Sequence, residues 1–339
     1  MKITLRPAII GIFFSAASIS SMAHSSTTFS IQSLTPDFSD LIDSHATPEV
    51  ITRHAKWAEG PVCQADGLFV FSDVKANKVL SWSPQQGIKT WLSPSDFQNG
   101  HTIDAQGRII AASHGKRAIL RQDKDGQWTV LADRWQGKRL NSPNDVTVSP
   151  DGSIWFTDPT FGVLSKSEGY GGKVEQDGEY VYRYQPDENT LVRMKTPGVH
   201  SPNGLAFSPD GRTLYISDTQ LAHNFEDKSL RHQIMAYTVQ GKTLNHGKLF
   251  AIVNPGIPDG IRTDRQGNVW SSSKEGIHVF SPQGRLLGKI FVPSQDTGNL
   301  AFCTDPNRQR WVYITAANLV LRVPVLTEGA TASSAAPKP

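Results

Sequence analysis

The sequence predicts an all-β protein, a six-bladed β-propeller with a central metal site, and three observations carry that reading. One short pattern recurs six times: a polar head, a run of mostly apolar residues, and a turn residue eight positions on. The copies run Glu59 to Gly67, Asn99 to Gly107, Asn144 to Gly152, Asn203 to Gly211, Asp259 to Gly267 and Asn299 to Asn307. The last slot holds Asn, which tolerates positive φ better than other non-Gly residues. After each turn comes a β-prone run, such as Leu68-Phe-Val-Phe71, Ile154-Trp-Phe156 or Trp311-Val-Tyr-Ile314, so each copy reads as a hairpin. The heads lie 40 to 59 residues apart, the length of one four-stranded blade, and six such units close a ring.

In chain order, residues 1–23 read as a signal peptide: Lys2 and Arg6, an apolar run from Ala8 to Ala17, then Ser21-Met22-Ala23 as a small-x-small cleavage site. The apolar run is too short to span a bilayer, so export with cleavage and a periplasmic or secreted location are expected. Residues 24–50 form a polar, Ser/Thr-rich lead-in, part of which is placed to pair as the outer strand of the last blade. The propeller is assigned to 51–327. Blade three carries the longest insertion, Pro159 to Gly178, and blade four a similar one, Thr219 to Arg231. Such an insertion is usually a surface loop, but this one follows a second strand and so leaves on the face of the heads, where a lid is the alternative reading that the sequence leaves open. The Ala/Ser/Thr/Pro-rich tail, 328–339, is expected to be disordered.

The 339 residues carry 34 Lys and Arg against 31 Asp and Glu, a formal charge of +3, which loss of Lys2 and Arg6 brings near neutral. With no basic run interleaved with aromatics, nucleic acid is not an expected partner. After the leader no apolar stretch is long enough to cross a membrane. Cys63 and Cys303 occupy equivalent positions in the first and last blades. Equivalent positions on adjacent inner strands are expected to exceed the ~4.4–6.8 Å Cα separation of a disulfide, so two buried free thiols are predicted.

Innermost strands line a propeller's channel, so the six heads converge there: two carboxylates and four amides, with no Lys or Arg at that register. Hard oxygen donors without Cys or His suit one divalent cation, Ca²⁺ first, Mg²⁺ or Mn²⁺ next and Zn²⁺ last. Asn-Gly and Asp-Gly are common turn dipeptides, and any single head reads equally as an Asx turn; coincidence at one register favours the metal. Asp73, Asp158 and Asp218, at the ends of second strands, read as turn formers. His101, two past Asn99, reads as a polar wall residue within reach of a substrate. There is no G-x-S-x-G nucleophile elbow and no H-E-x-x-H zinc motif.

Glu59-Gly-Pro, Asn141-Ser-Pro-Asn144-Asp, Trp155-Phe-Thr-Asp-Pro159, Ser201-Pro-Asn203-Gly, Ser208-Pro-Asp-Gly211, Leu214-Tyr and Pro258-Asp259-Gly260 resemble the gluconolactonase family, which includes senescence marker protein (regucalcin) and luciferin-regenerating enzyme. The resemblance spans residues 55 to 325. It implies a six-bladed propeller with one catalytic cation, usually calcium, held by Glu59, Asn144, Asn203 and Asp259, and hydrolysis of a sugar lactone such as D-glucono-1,5-lactone. Two residues before Asn144, where animal members place a substrate-contacting Arg, this chain has Ser142. Substrate contacts are therefore expected from Ser142, Asn99, His101 or the blade-three loop. Asp259 is the expected proton acceptor from a metal-activated water. The alternatives are a metal-dependent esterase or phosphotriesterase-like hydrolase, and a non-catalytic propeller that binds a sugar or a partner protein and uses the ion for stability.

Overall fold

The computed structural model describes residues 28–294 and 296–330. Six antiparallel sheets, five of four strands and one of five, follow one another round a ring. Their inner strands are Ala58–Cys63, Gln98–Ile103, Val146–Val148, Pro202–Phe207, Ile261–Thr263 and Asn299–Thr304. Each begins within two residues of its head and runs down the channel; the second strand returns to the heads' face. The hairpin turns hold Gly67, Gly107, Gly152, Gly211 and Gly267 at φ between 69° and 84°, a region open to glycine at little cost. In blade six the turn has the same length but comes one residue later than the repeat suggests. Arg308, not Asn307, takes the positive φ, at 66°, and its N–H closes on Asp305 O at 2.9 Å.

Ring closure comes from the chain's N-terminal side. Glu49–Thr52 pairs with Leu319–Pro324 as the outer strand of blade six. Ser30–Ser33 adds a fifth strand to blade five against Leu286–Phe291, which the lead-in's weak periodicity does not announce. Between these strands, Phe38, Leu41 and Ile42 pack into the core shared by blades five and six. Phe38 lies so close to Gly288 that a Cβ there would overlap its ring. Four further apolar clusters bridge neighbouring blades: one with six, two with three, three with four, four with five; a small one, Ala111, Ala118 and Leu120, lies within blade two. Burial between blades, which is the main favourable term of folding, thus fixes the rotation that brings the six heads together.

Cys63 and Cys303 are bonded to each other, with Cα atoms 5.5 Å apart. This corrects the expectation of free thiols: at the lower end of the channel the first and last inner strands approach within disulfide range. The signal peptide expected at 1–23 lies outside the described residues, as does the tail beyond 330. The first tail residues are ordered: Gly329 bridges Asp264, and Glu328 pairs with Arg265 at 3.0 Å and Arg310 at 2.9 Å.

Candidate active site at the channel mouth

Blade packing delivers five of the six heads to one cavity of about 750 Å³: Glu59, Asn99, Asn144, Asn203 and Asp259. The glycine after a head is what permits this approach. A Cβ on Gly60 would run into the Asn99 carbonyl, and one on Gly204 into that of Asp259. The sixth head, Asn299, supports its neighbour instead, its side-chain N–H lying 3.4 Å from Glu59 Oε2.

Glu59 is 3 % exposed, its Oε2 accepts the Gly60 N–H at 3.0 Å, and its Oε1 has no partner among the described residues. Burial, with the charge of Asp145 adding to it, pushes this carboxyl up to about 7. Asp259 is held well above the ordinary carboxylate range, first by burial and then by the charges of Glu59, Asp145 and Glu168, against a hydrogen bond from Asn203. Two buried acids of raised proton affinity, an orphaned carboxylate oxygen and two amide side chains form a donor set that suits a hard divalent cation. Among the described residues no three His, Cys, Asp or Glu side chains converge; the donors here are two carboxylates and two amides.

A cation of the protein's own lies just below. Arg262, three residues after Asp259, bonds Asp145 Oδ2 at 2.9 Å and approaches Oδ1 at 3.4 Å. Asp145 follows Asn144 directly and its side chain is 1 % exposed. The pair lies across the channel beneath the heads.

Two of the expected substrate contacts lie elsewhere. His101 lines a second cavity of about 400 Å³ among the lower ends of the inner strands. Its Nδ1 is 2.7 Å from Gly60 O and its Nε2 3.1 Å from the Gln98 side chain, and burial lowers it to about 4. Two residues along a strand is a drop of about 6–7 Å, which takes His101 below the ring of heads. Ser142 is fully buried, donating to Pro159 O at 2.6 Å and accepting from Gly162 N at 3.0 Å, so it anchors the blade-three insertion.

Asp73, Asp158 and Asp218 behave as turn formers. They accept backbone N–H groups two or three residues before the heads: Trp57 at 2.9 Å, Asn141 at 2.8 Å and Ser201 at 2.9 Å. In blade two this place is taken by Ser113, bonded to Asp96 O at 2.7 Å, and the next residue, His114, reaches the cavity. His114 is a site residue that the repeats did not bring out; the missing Asp in blade two was its only signal. Burial lowers it to about 4, so it is neutral; Nδ1 donates to Glu168 O at 3.0 Å, leaving Nε2 to accept from Asn99 Nδ2 at 3.2 Å. The insertion folds over the cavity as a docked wall. Phe161 and Glu168 line it, Tyr170 bonds Asp96 at 2.9 Å, and its ring meets Phe97 edge-on at 5.0 Å.

The family profile described as SMP-30/Gluconolactonase/LRE-like region matches residues 57–318. A gluconolactonase from Zymomonas mobilis is 32 % identical, covering 93 % of this chain and 91 % of its own. A solved gluconolactonase from Xanthomonas campestris is 38 % identical, with a TM-score of 0.79 over 87 % of this chain and 94 % of its own. Luciferin-regenerating enzyme, at 19 % identity and a TM-score of 0.65 over 84 % and 99 % of the two chains, shares the fold.

Proposed function

The chain belongs to the SMP-30/Gluconolactonase/LRE-like family and is a lactone-hydrolysing enzyme, and from that premise we propose that it opens D-glucono-1,5-lactone to D-gluconate with one divalent cation, Ca²⁺ foremost, held by Glu59, Asn144, Asn203 and Asp259. The observation that carries the metal is the pair of buried carboxylates with an orphaned Glu59 Oε1 at the head of the channel. The substrate reading rests on the gluconolactonases from Zymomonas mobilis and Xanthomonas campestris. When bound, the cation would polarise the lactone carbonyl and lower the pKa of water beside it.

The chain's own groups divide the remaining work. Asp259, with its elevated proton affinity, accepts the proton of the attacking water and returns it to the ring oxygen that leaves as a hydroxyl. Glu59 holds negative charge against the metal and stays clear of proton transfer. Asn99 is set by neutral His114, which takes one of its N–H groups and leaves the amide's other polar positions for sugar hydroxyls or the developing oxyanion. The described cavity walls, including Phe161 and Trp57, limit bulk water around the reacting ester. An exported enzyme of this kind would act on lactone formed outside the cytoplasm.

The test is acid release from D-glucono-1,5-lactone by chelated protein resupplied with Ca²⁺, Mn²⁺, Mg²⁺ or Zn²⁺, corrected for spontaneous opening. Turnover restored by metal in wild type and lost in Glu59→Ala and Asp259→Asn is expected. Full activity in metal-loaded Asp259→Asn would remove its role as base. A second reading, a larger lactone or another ester, is favoured by the cavity volume, which falls in the range of about 300–1,000 Å³ that accommodates drug-sized ligands. A panel of lactones and esters separates the two by kcat/KM.

A further inference from the structure

The insertions of blades three and four come together at a single carboxylate. Glu179, at the end of the blade-three insertion, has a side chain 12 % exposed. Its Oε1 accepts the Thr160 N–H at 3.1 Å and the Thr160 hydroxyl, and lies 3.3 Å from His223 Nε2. Its Oε2 accepts the Ser201 hydroxyl, which is itself 3.0 Å from His223 Nε2. Thr160 starts the insertion, Ser201 lies two residues before Asn203, and His223 ends the short 3-10 turn Gln220–His223 in the blade-four loop. One carboxylate thus ties both ends of the blade-three insertion to two segments of blade four.

What the tie holds in place is the cavity wall. The Phe161 ring stacks on His223, centroids 4.8 Å apart and planes 21° from parallel. Phe161, next to Thr160, lines the cavity, as do Leu221 and Ala222 from the His223 turn. Phe161 and Ala222, which face the cavity, directly adjoin Thr160 and His223, the residues bonded to Glu179.

We infer that Glu179 and His223 are positioning residues for substrate binding, clamping the two loops so that Phe161 presents a fixed aromatic face to the bound lactone. This rests on the lactonase reading for its substrate and on the loop geometry for its mechanism. A fixed flat ring suits the apolar face of a lactone or sugar ring and reduces the ordering cost of binding. The clamp therefore acts on KM more than on kcat.

The charge state of the clamp is readable. His223 is raised above the ordinary histidine value, first by its hydrogen bond to Glu179 and further by the charges of Glu179 and Asp218. Glu179 is lowered: burial opposes its charge, and the bonds from His223, Ser201 and Thr160 outweigh burial. The pair is ionised above the Glu179 value and below that of His223. Its contribution is complete between the unfolded glutamate and the unfolded histidine pKa, and is lost as pH falls through the folded Glu179 value or rises through the folded His223 one.

The experiment combines kinetics on D-glucono-1,5-lactone with NMR titration of His223, using wild type, Glu179→Gln, Phe161→Leu and the double variant. Glu179→Gln keeps the shape and removes the charge. Each single change is expected to raise KM about tenfold with kcat within about twofold, the scale of one aromatic contact. The double variant should be no worse than Phe161→Leu alone, because both act through one ring. His223 should titrate above the ordinary value in wild type and return to it in Glu179→Gln. Additive KM effects, an unchanged KM in Glu179→Gln, or an ordinary wild-type His223 titration would each overturn the clamp. A wild type inert on the lactone would defeat the substrate reading, and the His223 titration would still decide the clamp.

Discussion

Asp145 and Glu59 are both buried carboxylates on the same channel, and the chain treats them in opposite ways. Asp145 has Arg262 at 2.9 Å. Glu59 has an oxygen with no partner among the described residues and shares its cavity with a second acid, Asp259. A fold that can send an arginine across the ring to one carboxylate could neutralise others in the same way, since burying an unpaired charge is costly. Among the described residues no Lys or Arg is ion-paired with Glu59 or Asp259, although Lys228 and Lys274 line the same cavity and the charge of Arg262 reaches Glu59, an arrangement that suits the proposed cation. The lower pair meanwhile closes the channel beneath it with a charge that does not dissociate.

The largest expected effect lies at the upper pair. Glu59→Ala should reduce metal-dependent turnover about a thousandfold or more, because several kcal/mol of charge stabilisation leave with the cation; steady-state rates at saturating metal measure it. The lower pair should answer in stability. Arg262→Met leaves Asp145 buried without its partner and should cost about 3 kcal/mol, read by denaturant unfolding, whereas adding Asp145→Asn should recover most of the loss. If Arg262→Met alone is as stable as wild type, the lower pair is not what holds Asp145.

Next comes a pH effect that only the upper pair should show. Glu59 titrates near 7 in the folded, metal-free chain, above its ordinary 4.5. Between these values the native state binds more protons than the unfolded one, so the stability of chelated protein should fall as pH rises from about 4.5 to 7. Added Ca²⁺ should remove that fall, as melting curves across the window would show. The smallest change converts one arrangement toward the other. Asn99→Lys places an ammonium in the cavity and should weaken cation affinity about tenfold, by simple charge repulsion, while raising the melting temperature of the chelated protein at pH 8.

The repeat offsets made the ring legible, because a hairpin's turn and a blade's length are local properties that recur six times. The heads were legible for the same reason: identical register in identical hairpins leads to one place. What joins distant blades was not. Arg262 and Asp145 are 117 positions apart, and Arg262 sits one strand level below the register that drew attention. His101 shared the right strand and missed the cavity by two residues. The Cys63–Cys303 bond depends on how closely the first and last inner strands approach at closure, which no single repeat contains. His114 and the Glu179–His223 tie belong to loops, where side chains are placed by contacts between insertions and leave no periodic signature.

The most direct measurement is calorimetric titration of chelator-stripped protein with Ca²⁺ at pH 8, in wild type and in Glu59→Gln with Asp259→Asn. One ion per chain is expected in wild type and none in the double variant, with Arg262→Met retaining the site. Binding that survives loss of both carboxylates, or a folded wild type that takes up no divalent ion, would contradict the assignment of the upper pair as a cation site.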